Sequence, residues 1–416
     1  MSALDLDRLL EERQILVVAG TGGVGKTTIA AALAVEAARR RRHVMVLTID
    51  PARRLYDALG LEHADPAAPS NTQTLPVRSQ RRLGIAEPGR LDAQMLDMKS
   101  TFDGLVERFA DGPETRSRIL ENPIYQHLSA RLAGSAEYAA MEKVFELAES
   151  GAYDLIVIDT PPSQHALDFL EAPRRLIDFF DNSLVQRLVH PAMAAGRFGF
   201  RLFQRTSQRV LGALERISGV GFLQDITEFL LAIEGMSAGF RKRATRVREL
   251  LMSSDCAFLL VAGPHPEAAR TGHDFLVHMR TAGIPVEGIL LNRMRLWPDG
   301  EVPTRLLHGE VEAADLQALA DLLASGGDGL ASGVAEQAAH SAVEATKRYA
   351  SLVQLDQQST APLREEAERS GRIVACIPEF PRDIGDADGL LRLGDLLFRN
   401  PLPGGPRSKT GPRHAS

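Results

Sequence analysis

Eight consecutive residues, Gly20-Thr21-Gly22-Gly23-Val24-Gly25-Lys26-Thr27, have the types and spacing of a phosphate cradle. Glycines let backbone N–H groups approach an anion without a Cβ in the way, and a helix that follows adds its positive end. Lysine and threonine at the last two positions add an ammonium for the β- and γ-phosphates and a hydroxyl for Mg²⁺. The chemistry implied is nucleotide binding and transfer of the terminal phosphoryl group, with Gly20, Thr21, Gly22, Gly23, Val24, Gly25, Lys26, Thr27 and Thr28 as the expected binding set. Two aspartates extend the site. Asp50 ends the apolar run from His43 to Ile49, and Asp159 ends the run from Leu155 to Ile158. Carboxylates at such strand ends stand on the edge where open α/β sheets bind ligands. Lys26, Asp50 and Asp159 are thus the expected catalytic residues, and Thr27, Asp50 and Asp159 the expected metal-side residues. Asp50-Pro51-Ala52 reads as a first switch that responds to the γ-phosphate, with a capped helix start as the alternative. Thr160-Pro161-Pro162 follows Asp159 as a second switch, while His165 beyond it is expected to pack at a helix start.

These residues need elements to hold them. Ile15 to Ala19 predicts a short buried strand feeding the loop, and Thr28 to Arg42 an alanine-rich helix leaving it. Three later apolar runs, Cys256 to Pro264, Val286 to Arg293 and Arg372 to Pro378, predict further buried strands. Helical spacing recurs over Leu91 to Ala110, Glu114 to Glu121, Glu137 to Ser150, Pro266 to Ala282, Val311 to Ala324 and Val334 to Arg369, and Arg82 to Ala86 is a short strand candidate. The alternation predicts an α/β fold, a P-loop NTPase with a mostly parallel doubly wound sheet and an inserted α-helical subdomain. Glu137, Tyr138 and Glu142 are either functional or solvated helix positions. Asn292, at a strand's carboxyl end, carries an amide that suits a purine edge, with a turn residue as the alternative.

The 416 residues carry a formal net charge of −6, and no apolar run is long enough to span a membrane. Met1 to Gln14 lacks the pattern of a secretory signal, so a cytoplasmic protein is expected. The two cysteines, Cys256 and Cys376, lie in apolar runs and read as core residues. Charge is unevenly spread. Residues 173–250 hold thirteen Arg or Lys against seven Asp or Glu, and eight of the sixteen phenylalanines. Leu176, Phe180, Leu184 and Leu188, then Phe222, Ile226 and Leu230, repeat at helical spacing. Packing of these faces on each other explains most of them, while the stretch from Met193 to Phe203 is expected to receive an apolar client segment or a membrane-associated partner. Nucleic acid is not expected, since the overall balance is acidic and no DNA-reading motif is present. The organisation expected is a nucleotide core in two parts, 1–172 and 251–398, interrupted by a helical insert at 173–250 and followed by a tail at 399–416 that is expected to be disordered.

The P-loop, Asp50-Pro51-Ala52, Asp159-Thr160-Pro161-Pro162 and Leu291-Asn292 occur in an order that resembles the ArsA-like ATPases, the arsenite-pump ATPases and those that target tail-anchored membrane proteins. The resemblance covers roughly residues 13 to 400 and implies ATP with Mg²⁺, a homodimer, Asp50 positioning the attacking water, Asp159 near the metal, and adenine beside Asn292 and Pro378 to Pro381. The chain departs from the family where a lysine that reaches the partner's phosphates is replaced by Thr21, where metalloid-binding cysteines have no counterpart, and in having one P-loop. The reading that follows is ATP hydrolysis coupled to movement of a helical subdomain, with protein or membrane-protein targeting as the expected use. A nucleotide-dependent switch or scaffold with little turnover is the alternative, and arsenite efflux ranks last.

Overall fold

The computed structural model describes residues 6–49, 54–61, 72–123, 125–126, 135–160, 238–239, 241–284, 286–325 and 331–398. Asp50 to Arg53, His165, nearly all of the expected insert and the tail lie outside them. The elements are α1 (Leu6–Glu12), β1 (Ile15–Gly20), α2 (Lys26–Arg39), β2 (His43–Thr48), α3 (Arg54–Leu59), β3 (Thr72–Thr74), α4 (Val77–Arg82), β4 (Arg90–Met95), α5 (Met98–Phe109), α6 (Pro113–Glu121), α7 (Ser135–Ser150) and β5 (Leu155–Asp159). A helix over residues 241–251, α8, follows. Then come β6 (Cys256–Ala262), α9 (Pro266–Thr281), β7 (Val286–Met294), α10 (Thr304–Leu307), α11 (Ala313–Ser325), α12 (Ser332–Arg369), β8 (Ile373–Pro378) and α13 (Ala387–Phe398).

All eight strands form one sheet in the order β3-β4-β2-β5-β1-β6-β7-β8. Each pairing is parallel except that of β3 with β4. β1, β5 and β6 are buried along their whole length, because helices cover both faces, and this is why they read as continuous apolar runs rather than alternating ones. Alternate residues serve two cores. Ile15, Val17 and Ala19 join one with α5, α7, α8, α9 and the end of α12; Leu16 and Val18 join the other with α1, α2, α3 and α13. In α2 the buried positions are mainly alanines, which let this helix lie close on the strands.

Two sequence expectations are corrected. Residues 91–95, expected at the start of a helix, lie in β4, and the helix begins at Met98 with Asp97 accepting a hydrogen bond from the Ser100 N–H as its cap. The strand hides because Asp92 and Gln94 on one face are polar yet buried. Asp92 lies 3.2 Å from the His43 ring nitrogen and accepts bonds from Arg90 and the Tyr153 hydroxyl, so burial there is compensated. Arg82 to Ala86, expected as a strand, is instead the end of α4 and the turn after it.

Tyr138 and Glu142 are not solvated helix positions: both are buried, at 2% and 3% exposed. Glu142 accepts a 2.8 Å bond from Arg243 of α8, whose guanidinium also reaches Glu149 at 2.6 Å and lies over the Phe145 ring. This pair fastens α8 to α7. Burial pushes the Glu142 carboxyl up to about 6, with Arg243 and Arg108 opposing. A raised carboxyl favours the folded state most at low pH, and that contribution is lost as pH rises through about 6. The stability difference between the wild-type protein and Glu142→Gln is therefore expected to shift against the wild type by ~1–2 kcal/mol from acid to neutral pH. Urea unfolding at several pH values checks this; a difference that does not change with pH contradicts it.

Candidate functional site

The loop from Gly20 to Gly25 leaves the sheet between β5 and β6, near its middle. Gly20 cannot carry a side chain, since a Cβ there would stand 2.0 Å from the Val261 carbonyl oxygen of β6. Gly25, the N-cap of α2, has φ +90°, and its Cβ would stand 2.5 Å from the Asn292 amide nitrogen. Gly22 and Gly23 at the crest are exposed, whereas Thr21, Val24 and Lys26 are buried. The Lys26 ammonium donates to the Thr21 carbonyl at 2.9 Å, so it lies over the loop rather than toward solvent. The Thr21 hydroxyl is buried with no hydrogen-bond partner among the described residues.

Strand register builds the metal side. Val18 of β1, Asp159 of β5 and Thr48 of β2 stand in one row across three neighbouring strands. Asp159 is fully buried and its carboxylate accepts bonds from the Thr27 hydroxyl at 2.7 Å and the Thr48 hydroxyl at 3.0 Å. Thr160 follows and donates through both its N–H and its hydroxyl to the Val18 carbonyl, which fixes the start of the expected second switch. Thr48 was not among the expected site residues. It closes an apolar run, and only its pairing opposite Asp159 gives its hydroxyl a role.

Among the described residues no cluster of three or more His, Cys, Asp or Glu side chains is placed to hold a metal. The oxygen set at Thr27 and Asp159 fits Mg²⁺ in the manner of nucleotide sites, where phosphate and water supply most of the coordination. The cysteines are apart, on β6 and β8 with β7 between, and burial pushes both thiols up.

On the other flank of the loop, Asn292 at the end of β7 donates to the Val24 carbonyl at 2.7 Å. Pro378 ends the adjacent β8 and is half-buried. A cavity of about 750 Å³ opens beside Thr21 to Val24, walled by the start of α9, by Arg293 and Arg295, and by Leu355 and Asp356 of α12. The structure thus brings Gly20 to Thr28, Asp159, Asn292 and Pro378 to one edge of the sheet, the carboxyl ends of its parallel strands. Asp50 is beyond the described residues, although Thr48 and Ile49 before it are placed.

A strand, a glycine loop and a buried helix start, with a carboxylate hydrogen-bonded to the loop threonine, define a P-loop nucleotide-binding protein of the α/β class. The chain belongs to the anion-transporting ATPase family, whose family model matches residues 13–299. It is similar to the ATPase GET3 of Malassezia globosa, 29% identical over 170 residues, or 40% of this chain and 45% of that protein. Against the ATPase get3 of Aspergillus niger it is 30% identical over 159 residues, 38% of this chain and 42% of the other. The similarity therefore spans less than half the length of these relatives. Residues 300–398, with α10, α11 and α12, lie past the family match.

Gly25→Ala is expected to destabilise the fold by ~1–3 kcal/mol, because the methyl group meets the Asn292 amide and the backbone is left-handed. Urea unfolding of the variant checks this, and an unchanged midpoint contradicts it.

Proposed function

We propose that this protein binds ATP with Mg²⁺ and hydrolyses it, using the cycle to move a helical subdomain. The observation that carries the reading is the 2.7 Å bond from Thr27 to the buried Asp159, next to the Lys26 ammonium held over a glycine loop. Phosphoryl transfer needs positioning and charge neutralisation more than covalent chemistry from the protein. Backbone N–H groups from Gly22 to Thr28, at the start of α2, supply fixed donors to the phosphate oxygens. Lys26 exchanges the Thr21 carbonyl for the β- and γ-phosphates. Thr27 and Asp159 hold the cation's side of the site, where bound Mg²⁺ would neutralise charge on the leaving phosphate. Thr48 keeps the Asp159 carboxylate turned toward Thr27. Asp50, two residues past Thr48, would orient the attacking water. The base would lie at the carboxyl ends of β7 and β8, beside Asn292 and Pro378.

Family membership and the similarity to GET3 ATPases support hydrolysis, and the resemblance to ATPases that target tail-anchored membrane proteins supports coupling it to protein targeting. In this reading residues 173–250 form the client or partner surface, with 1–172 and 251–398 as the two parts of the core, and the protein works in the cytoplasm as a homodimer. What supports a partner surface there is the local excess of phenylalanine and of positive charge. Among the described residues no helix is long and apolar enough to cross a membrane. The neutral Thr21 favours a second reading, a nucleotide-dependent switch with little turnover, because a buried hydroxyl cannot offset charge on phosphate as a cation does.

Steady-state ATP hydrolysis with Mg²⁺ separates the two. Lys26→Ala and Asp159→Asn are expected to lower turnover ~100-fold or more. Thr21→Lys is expected to raise it. Tight ATP binding by the wild-type protein with turnover no higher than that of Lys26→Ala would leave the switch.

A further inference from the structure

Asn292, read from the sequence as suiting a purine edge or as a turn residue, donates from its amide nitrogen to the Val24 carbonyl at 2.7 Å. In a planar trans peptide the C=O and the following N–H point in opposite directions. Holding the Val24 oxygen toward β7 therefore turns the Gly25 N–H away from it, and Gly25 is the residue that opens α2. The contact is tight enough to require glycine at position 25, since a Cβ would meet the same amide nitrogen at 2.5 Å. The end of β7 is itself built to make the contact. Arg293 has φ 62°, a left-handed conformation that non-glycine residues rarely adopt, and the pairing with β8 slips between Leu291 and Met294. Fixed points follow the irregularity: the Arg295 N–H and guanidinium donate to Asp356 of α12 at 2.9 and 3.1 Å, and the Met294 carbonyl accepts from the Glu379 N–H at 3.0 Å. Asp356 is 2% exposed, so this anchor is well shielded.

We propose that Asn292 is a positioning residue for the phosphate loop, acting through the Val24–Gly25 peptide, and that Asp356 holds the strand end that carries it. The inference rests on the reading of the loop as the nucleotide site, and it makes Asn292 matter to the phosphates whatever base they carry. A residue that touches adenine would affect ATP alone. A residue that sets the loop affects every ligand with the same polyphosphate.

The test is equilibrium binding of Mg-ATP, Mg-GTP and inorganic tripolyphosphate to the full chain, as wild type, Asn292→Ala, Asn292→Asp, Asp356→Asn and Lys26→Ala, with urea unfolding of each. Asn292→Ala is expected to weaken ATP and tripolyphosphate by the same factor, about tenfold, and to leave the ratio of ATP to GTP affinity unchanged. Asn292→Asp, which cannot donate, is expected to be at least as weak, and Asp356→Asn to show a smaller loss of the same uniform kind. A loss confined to ATP, with tripolyphosphate binding intact, overturns the proposal and returns Asn292 to the base. Equal binding by wild type and Lys26→Ala would instead overturn the nucleotide reading of the loop, and this inference with it. Loss of binding matched by loss of folding in both Asn292 variants and in Asp356→Asn would show a structural role and also overturn it.

Discussion

The bond from Thr27 to Asp159 can form only if β1 and β5 are neighbours in a fixed register, and much of the molecule follows from that constraint. A slip of one residue would turn Asp159 to the opposite face of the sheet and put an apolar side chain in its place. Register is held because both faces of β1 and β5 are buried, so a slip would also exchange the contents of two cores. The carboxylate itself is fully buried, which is tolerable only because hydroxyls from two other elements reach it. Packing and chemistry are here one requirement. The helices that bury the strands are the means by which an aspartate is placed beside a loop threonine.

The two flanks of the loop are built differently. Toward β5 and β2 the contacts are side chain to side chain, hydroxyl to carboxylate, and they belong to groups that can exchange partners when a cation arrives. Toward β6 and β7 the loop meets backbone and amide at distances that exclude even a methyl group at Gly20 and Gly25. One flank is made of side-chain hydroxyls and a carboxylate, the other of close backbone and amide contacts. Such a division suits a site that must bind phosphate in a prepared cradle while allowing rearrangement near the scissile bond.

Much of this was legible in the sequence, for reasons that differ by element. The loop could be read because its glycines and lysine are demanded at fixed spacing, and the central strands because burial on both faces leaves uninterrupted apolar runs such as Leu155 to Ile158. β4 was not legible, since Asp92 and Gln94 are buried polar residues, and the Asp92 partners His43 and Tyr153 are remote in the chain. Glu142 was misjudged for a similar reason: nothing local announces that Arg243, about a hundred residues away, will neutralise it. The contacts that Thr48 and Asp356 make arise from pairing and packing alone. Residues whose function needs a covalent spacing are visible in a sequence, whereas those whose function needs a neighbour from elsewhere become visible only in the fold.

α12 spans 38 residues, or about 57 Å, while β8, which follows it in the chain, spans six residues, or about 20 Å. Its later part, with Leu363 and Ala367, belongs to the central core, and the helix also packs on α11. Asp356 is the point at which this rod meets the strand that touches the phosphate loop. The helix extends much further on one side of this contact than on the other. A tilt of about 10° about Asp356 would carry Ser332, some 36 Å away along the axis, through about 6 Å, so a displacement too small to disturb the cradle would be large at the far tip.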